Sequence, residues 1–587
     1  MINILKNLEK TQWVYVLVSI SFIVIQVWLD LKLPDYMSDI TMLVQTEGSE
    51  MSEIIENGIY MLLCALGSMI SSVVVGYFAA RIAAGLARTL REKIFKKVMG
   101  FSMEEINNFS TDSLITRSTN DITQVQMVIA MGLQAMIKAP ILAVWAILKI
   151  SGKSWQWTAA TAVAVAVLIL MLTVLVIFAL PKFKIIQTLT DNLNKVTREN
   201  LTGLRVVRAY NAEAYQDKKF EHANGELTST YLFTNRMLAI INPTMTAIMS
   251  GISLAVYWIG SYLINEAAMP EKYPLFADMV VFTSYAMQII MAFMLLAMIF
   301  IMVPRAEVAA KRINEVLDTK AKIQDGTQTE GIDTKEGEVE FRNVSFMYPD
   351  AGDNVLHNIS FKAKKGETVA FIGATGSGKT TLVNLIPRFY DATEGEVYVS
   401  GRNVKEYTQE ALHKKIGYVS QRAVLFSGDI KSNIAYGDIV YGNETMEIIE
   451  KAMEIAQGSE FVQKLDDGYD SRVAQGGTNY SGGQKQRMSI ARAIARKPEI
   501  YIFDDSFSAL DYKTDRVLRT ALKRETKGVT SLIVAQRIGT IKDADQIIVL
   551  EDGAIVGKGT HRELMKNCDT YREIAYSQLS KEEADNE

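Results

Sequence analysis

Cysteine and histidine are scarce in this chain of 587 residues, which contains two cysteines, Cys64 and Cys568, and four histidines. Two cysteines cannot build a disulfide framework or a metal site, which agrees with a reducing cytosol. The formal net charge of −4 gives no indication of a nucleic-acid partner. The N-terminus also lacks a short apolar core followed by a small-residue cleavage site. Its first apolar stretch is therefore expected to remain as an anchor.

Apolar residues are concentrated in the first half of the sequence, and from about residue 335 the chain has the composition of a soluble α/β protein. The chain is also too long for a single hydrophobic core. A membrane span needs about 20 mostly apolar residues, because the bilayer has no water to satisfy the backbone. Six stretches meet this requirement: 13–31, 58–80, 127–148, 156–180, 238–264 and 276–303. The sequence therefore predicts an integral membrane protein.

The segments that connect the spans differ in charge. After Lys32, the first connection has acidic residues and no lysine or arginine: Asp35, Asp39, Glu47, Glu50, Glu53 and Glu56. The second and fourth connections are basic and include Arg81, Arg88, Arg91, Lys93, Lys96, Lys97, Lys182, Lys184, Lys195, Arg198, Arg205, Arg208, Lys218 and Lys219. Because lysine and arginine favour the cytoplasmic side, both basic connections and both termini are predicted to be cytoplasmic.

Both basic connections keep a helical pattern without Gly or Pro clusters. We predict helices that continue beyond the bilayer, with short turns near Ser113–Asn120 and Gly203–Tyr210. The alternative is a pair of solvated basic loops.

Few polar residues interrupt the spans. Lys138 lies within the third span and Gln288 lies midway along the sixth. Polar groups in lipid usually face a bundle interior or a water-filled cavity. The sixth span also carries methionines on one helical face between Met287 and Met302. These methionines are compatible with an adaptable cargo cavity, whereas for any single methionine ordinary helix packing is the favoured interpretation.

A phosphate-binding motif follows an apolar strand at 368–372 and precedes an apolar helical pattern. Its glycines allow backbone N–H groups to wrap phosphates at a helix N-terminus. Lys379 supplies a cation, and the Thr380 hydroxyl can bind Mg²⁺. The predicted nucleotide-binding residues are Gly373, Ala374, Thr375, Gly376, Ser377, Gly378, Lys379, Thr380 and Thr381.

Two further segments have features of a nucleotide site. A second apolar strand, 500–503, ends at Asp504, whose carboxylate can hold Mg²⁺ beside the phosphate loop. Between the two strands, Ser481, Gly482, Gly483 and Gln484 open a helix and can form an anion-binding N-terminus. Taken alone, a Ser-Gly-Gly sequence is usually only a turn.

With these motifs the chain resembles half of an ATP-binding cassette (ABC) exporter over nearly its whole length. The resemblance implies a six-span α-helical transmembrane domain fused to an α/β P-loop nucleotide-binding domain that hydrolyses ATP with Mg²⁺. It also implies that Tyr348 stacks on adenine and that Gln421 reaches the metal. Ser481 to Gln484 would then be the signature that completes the ATP site of an opposite cassette, which requires a dimer. Ser508–Asp511 resembles the loop that crosses between the two sites.

The chain departs from the family pattern at two catalytic positions. Asp505 stands where the family usually has a glutamate that orients the attacking water, and Gln536 stands where it has a histidine. A third departure is 473–477, where the family usually has a stretch with acidic and basic residues. In the resemblance the turns near Ser113 and Gly203 correspond to the coupling helices, and this departure puts the communication of the stretch with them in doubt. Aspartate is one methylene shorter than glutamate, and glutamine cannot take up a proton near neutral pH. The pattern resembles the degenerate-site subunit of a heterodimeric ABC multidrug exporter.

These observations predict an ATP-driven exporter subunit that moves amphiphilic compounds, drugs or lipids, in a prokaryotic cytoplasmic membrane. Hydrolysis would occur mainly at a site shared with a different partner chain. The alternatives are an ATP-gated regulator that does not transport, and a homodimeric lipid or peptide exporter. The predicted domains are a transmembrane domain at 1–320, a linker at 321–335 and a nucleotide-binding domain at 336–587.

Overall fold

The computed structural model describes residues 1–46, 48–151, 154–437 and 445–578. Glu47 lies outside the described residues, as do the side chains of Lys184 and Met298. The chain forms two compact units. The first contains Met1–Met99 and Ser110–Thr319, and the second contains Gly100–Phe109 and Lys320–Glu587.

The first unit is helical, and most of its helices are long. Eleven helices lie between residues 1 and 319 in the described chain, and one of them, the short helix α4, belongs to the second unit. In chain order they are α1 Ile2–Leu5, α2 Lys10–Gln45, α3 Met51–Met99, α4 Met103–Phe109, α5 Thr111–Ser118, α6 Asn120–Ile150, α7 Trp155–Thr202, α8 Leu204–Ala209, α9 Glu213–Ala239, α10 Ile241–Glu266 and α11 Met269–Asp318.

Six helical segments of the described chain are long and apolar enough to cross a membrane. They contain the six predicted spans, but the helices extend well beyond them. The span predicted at 58–80, for example, lies inside α3, which runs from Met51 to Met99. The basic connections are therefore helical, and the alternative of solvated loops is wrong.

The first helical turn lies earlier than predicted. α3 ends at Met99, and α4 follows after a break at 100–102. Glu105 fixes this break, because its carboxylate accepts hydrogen bonds from the Ser102 backbone N–H at 2.7 Å and from its hydroxyl at 2.6 Å. Ser113–Asn120 belongs instead mainly to α5. The second turn lies where it was expected, since α7 ends before Gly203 and α8 spans Leu204–Ala209.

Charged side chains inside the first unit pair with one another. Lys138 of α6 bonds to Asp30 of α2 at 3.0 Å, and both side chains are largely buried. Asp30 also accepts a hydrogen bond from Ser68 of α3. The Gln288 amide of α11 donates to the Asp30 backbone carbonyl at 3.3 Å. An ionisable group in a membrane bundle is stable only with such partners. Asp30 thus joins four helices.

The second unit is an α/β domain. Its strands are β1 Val339–Phe346, β2 Leu356–Ala363, β3 Thr368–Gly373, β4 Glu394–Val399, β5 Arg402–Asn403, β6 Ile416–Val419, β7 Gly428–Asp429, β8 Arg472–Val473, β9 Ile500–Asp504, β10 Thr530–Val534, β11 Gln546–Glu551 and β12 Ala554–Gly559. Its helices after α4 are α12 Lys379–Asn384, α13 Gln409–Lys414, α14 Ile430–Ile434, α15 Thr445–Ile455, α16 Ser459–Val462, α17 Gly482–Ala495, α18 Tyr512–Glu525, α19 Ile538–Ile541, α20 His561–Asn567 and α21 Asp569–Gln578.

A six-stranded sheet in the order β12-β11-β3-β10-β9-β6 forms the centre of this unit. Its strands pair in parallel except for β12. A smaller antiparallel sheet has the order β2-β1-β4-β5. The central strands are continuous apolar runs because both faces of the sheet are covered, and β9 is buried along its whole length. In parallel sheets ligand sites lie at the carboxyl ends of the strands, where β3, β9 and β10 deliver their following residues.

Candidate functional site

The phosphate loop connects β3 to α12. Gly376 and Gly378 adopt the left-handed conformation, with φ values of 89° and 91°. A Cβ atom on Gly378 would approach Leu356 Cδ2 to 2.7 Å and the Val355 carbonyl to 3.1 Å. A side chain at Gly378 is therefore excluded by both conformation and space. The loop keeps its backbone N–H groups at the start of a helix, where phosphate binds well.

Lys379 is folded back onto its own loop. Its ammonium group donates to the carbonyls of Gly373 at 2.9 Å and Ala374 at 2.7 Å, and to the Ser377 hydroxyl at 3.2 Å. Only 8% of the residue is exposed. Burial lowers the pKa of Lys379, and the charges of Asp505 and Asp504 oppose this change. Phosphate oxygens would offer this buried cation stronger acceptors than the loop carbonyls.

Thr380 and Asp504 offer two oxygens at the carboxyl end of β9. The Thr380 hydroxyl donates to Asp504 Oδ1 at 2.9 Å. Burial raises the pKa of Asp504, and the charge of Asp505 adds to the rise, whereas the Thr380 hydrogen bond and Lys379 lower it. Oxygen ligands of this kind suit Mg²⁺, which usually takes one or two carboxylates and completes its shell with water and substrate phosphates.

The second carboxylate, Asp505, meets both predicted glutamines. Its Oδ2 accepts a hydrogen bond from Gln536 Nε2 at 2.9 Å and another from Gln421 Nε2 at 3.3 Å. Asp505 has a positive φ of 45°, at the turn that follows β9. Burial raises its pKa, whereas the hydrogen bond from Gln421 and the charge of Lys379 lower it. The structure thus brings Gln421, Asp505 and Gln536 together.

Asp504, Asp505 and Lys379 are buried charges that Mg·ATP would neutralise. The cation would face the carboxylates and the phosphates would face the lysine. Among the described residues, no cluster of three or more His, Cys, Asp or Glu side chains is placed to hold a metal by itself. The arrangement fits a Mg²⁺ that arrives with its nucleotide, held by Thr380 and Asp504.

Tyr348 lies beside the phosphate loop. Its hydroxyl and that of Thr381 are 3.0 Å apart. Its ring makes edge contacts with Phe346, with ring centroids 4.9 Å apart, and with Tyr390, at 5.3 Å. The ring is partly exposed and could stack on an adenine base. Tyr390, which was not predicted from the sequence, also accepts a hydrogen bond from Asn107 of α4 at 3.3 Å.

The signature residues form a separate helix start. Ser481 caps α17, where its hydroxyl accepts from Gln484 N at 3.3 Å and its own N–H donates to Gln484 Oε1 at 2.9 Å. Gly482 faces open space, since a Cβ there would have no atom within 4 Å. Within the described part of the chain, no recorded hydrogen bond joins the signature to the phosphate loop. Ser481 and Gly482 are exposed at the surface.

Comparison with known proteins places both units in one family. Residues 16–321 match the family described as ABC transporter transmembrane region. Residues 356–508 match the family described as ABC transporter.

Curated relatives match over most of their length. An uncharacterized ABC transporter ATP-binding protein of Mycobacterium tuberculosis is 39% identical over 520 residues, covering 88% of this chain and 86% of the relative. The YfiB protein of Bacillus subtilis, also described as an uncharacterized ABC transporter ATP-binding protein, is 36% identical over 533 residues, covering 89% and 90%. The ATP-dependent lipid A-core flippase of Pseudomonas aeruginosa is 31% identical over 518 residues, covering 88% and 83%.

A solved structure supports the same architecture. The fold is similar to that of a bacterial Atm1-family ABC exporter with ATP bound, with a TM-score of 0.80 and 22% identity over 97% of this chain and 99% of that chain. The predicted fold, an α-helical membrane domain fused to an α/β P-loop domain, is confirmed. The chain therefore belongs to the ABC transporter family, as an exporter half that carries its transmembrane region and its ATPase domain in one polypeptide.

Proposed function

We propose that this chain is one subunit of a heterodimeric ATP-driven exporter of amphiphilic compounds, and that its own ATP site binds nucleotide but hydrolyses it poorly. The proposal rests mainly on the carboxylate of Asp505, which is hydrogen-bonded to two side-chain amides instead of facing a histidine. In this proposal residues 1–320 form the membrane domain, apart from Gly100–Phe109, which belong to the second compact unit. Residues 321–335 form the linker and 336–587 the nucleotide-binding domain.

ATP would be held by the residues that the motifs identified. Tyr348 would stack on adenine, and Gly373–Thr381 would bind the phosphates. Thr380 and Asp504 would reach Mg²⁺, and Gln421 would reach it through its amide oxygen, since its Nε2 donates to Asp505. The signature, Ser481 to Gln484, would complete the ATP site of the partner chain. This division is supported by the separation of the signature from the phosphate loop and by the open space at Gly482.

The proposed location is the cytoplasmic membrane of a prokaryote, with both termini in the cytoplasm. The bacterial origin of the similar proteins supports this location. The basic connections support the orientation, since lysine and arginine mark the cytoplasmic side. A homodimeric lipid exporter is the second candidate, favoured by the 31% identity to a lipid A-core flippase. Affinity purification from native membranes separates the two candidates, since only a heterodimer yields a different cassette chain with Glu and His at the equivalent positions.

Purified alone, the full-length chain is expected to bind Mg·ATP and release little phosphate. Lys379, Thr380 and Asp504 provide the binding groups, whereas Asp505 and Gln536 lack the properties of an efficient general base and its partner. Loss of a general base lowers a rate by about 10²–10⁴-fold. Nucleotide retention and phosphate release are measured on the same preparation. A turnover equal to that of a two-chain complex would contradict the degenerate site.

Replacing Gln288 or Met291 by Ala is expected to change the transport of some amphiphilic cations by about threefold or more, because a cavity-lining side chain affects compounds unequally. Met291 is 42% exposed, and Gln288 Oε1 is buried with no hydrogen-bond partner among the described residues. Met269→Ala is the control, because Met269 is on the same helix, 75% exposed and outside the predicted span. Transport into inside-out vesicles is measured alongside thermal stability. Unchanged transport of every compound would assign both residues to packing.

A further inference from the structure

Two glutamines hold the same carboxylate oxygen in the nucleotide site. Gln421 and Gln536 both donate to Asp505 Oδ2, and a carboxylate oxygen has about two lone-pair directions. The two amides therefore fix the orientation of the carboxylate as well as contacting it. A carboxylate at the position of Asp505 that contacted only water would be free to rotate.

The backbone around this contact is also fixed. β9 and β10 pair in parallel with Val534 beside Asp504, and the Asp505 N–H donates to the Val534 carbonyl at 3.0 Å. Gln578 then secures the loop that follows β10. Its side-chain amide donates to the Gln536 carbonyl at 2.7 Å, and its oxygen accepts from the Ile538 N–H at 2.9 Å. The sheet register and Gln578 together present the Gln536 side chain to Asp505.

We propose that Gln536 is a positioning residue that, together with Gln421, clamps Asp505 and keeps this site in a binding state that does not hydrolyse ATP. The inference rests on the proposed degenerate site and adds that the hydrogen bonds to Asp505 themselves suppress hydrolysis. In hydrolysis, a carboxylate oxygen takes a proton from water while the water oxygen bonds to the γ-phosphorus and the bond to the ADP oxygen breaks. A carboxylate held by two amides cannot move to that water. Gln536 thus opposes hydrolysis by holding Asp505, in addition to lacking the ability of histidine to take up a proton near neutral pH.

The clamp predicts that the longer acid will not restore activity by itself. Asp505→Glu is expected to raise single-turnover hydrolysis by less than about tenfold, because the amides can hold a glutamate as well. On the Asp505→Glu background, Gln536→Ala is expected to add about tenfold, because alanine has no amide with which to hold the carboxylate. Gln536→His is expected to add about 10²-fold, since it also supplies a phosphate contact.

The experiment uses the full-length chain reconstituted in lipid nanodiscs, with radiolabelled ATP below the protein concentration. Binding of a fluorescent ATP analogue is measured for each variant, and its affinity is expected to stay within about threefold because the clamp acts on the rate. If Gln536→Ala adds nothing to Asp505→Glu, the clamp is wrong and any gain with histidine comes from its imidazole. A wild-type rate above about 1 s⁻¹, within the ordinary range of enzymes, would instead contradict the degenerate site itself.

Discussion

Replacing Ser481 by Ala is expected to lower ATP turnover of the two-chain complex by about 10²–10³-fold, whereas Asp505→Asn is expected to lower it by no more than about tenfold. In the proposed dimer, the Ser481 hydroxyl would act on the ATP of the partner chain, at the competent site. Asp505 would serve the impaired site of its own chain, where the carboxylate is held by Gln421 and Gln536. Phosphate release and transport are measured at saturating Mg·ATP.

Ser481 also caps α17, so its replacement carries a separate cost of about 1 kcal/mol in stability. Gly482→Ala removes this ambiguity, because the added methyl group meets no atom of this chain within 4 Å. A large loss of turnover in Gly482→Ala, with unchanged thermal stability, would therefore report contact with a group outside the chain. Equal losses in the Ser481 and Asp505 variants would mean that the two ATP sites are equivalent. A reversed order would place the working site in this chain.

Lys138→Met is expected to destabilise the membrane domain by about 3 kcal/mol, because it leaves the largely buried carboxylate of Asp30 without its cation. Lys149→Met is the matched control. Lys149 bonds to Asp35 at 2.6 Å but is more exposed, and Asp35 keeps a hydrogen bond from Tyr285 at 2.6 Å. A loss of less than about 1 kcal/mol is expected for this variant. Unfolding in detergent, followed by the loss of tertiary structure, measures both.

The double variant Asp30→Asn with Lys138→Met tests the cause of that loss. Removing both charges is expected to restore most of the stability, because replacing a whole buried ion pair costs much less than breaking it. The Ser68 hydroxyl, which donates to the Asp30 carboxylate, can still donate to the amide oxygen of the substituted side chain. If the double variant is as unstable as Lys138→Met, the lysine contributes through its packing and not through its charge.

The elements of this protein were predictable where their signal is local. A membrane span needs a continuous apolar stretch, so hydropathy located all six spans. It did not locate the helix ends, because the polar extension of α3 to Met99 carries no excess of apolar residues. The first turn was placed too late for a related reason. The break before α4 depends on hydrogen bonds from Ser102 to Glu105, which the helical periodicity of the region does not reveal.

The candidate site was likewise predictable only where its sequence signal is local. The phosphate loop is a local motif between a strand and a helix, and the structure places it between β3 and α12. The contact between Asp505 and Gln536 joins residues that follow two neighbouring strands, β9 and β10, and only the sheet order reveals it. The pair of Asp30 and Lys138 was also missed, because hydropathy identifies an interrupting lysine but not the residue on another helix that neutralises it. Tyr390 gave no signal beyond being an aromatic residue after α12.

The second unit is built from two separate segments of the chain, which has a consequence for the synthesis of the protein. Gly100–Phe109 belongs to this unit, although the rest of it begins roughly 200 residues later at Lys320. Lys322 meets this segment directly, since its backbone N–H donates to the Glu105 carboxylate at 3.1 Å. At ribosomal speeds of about 5–20 residues per second, α4 waits about 10–40 s before its partners emerge. An expression fragment that begins near residue 320 lacks α4, and a lower yield of folded protein is therefore expected from it.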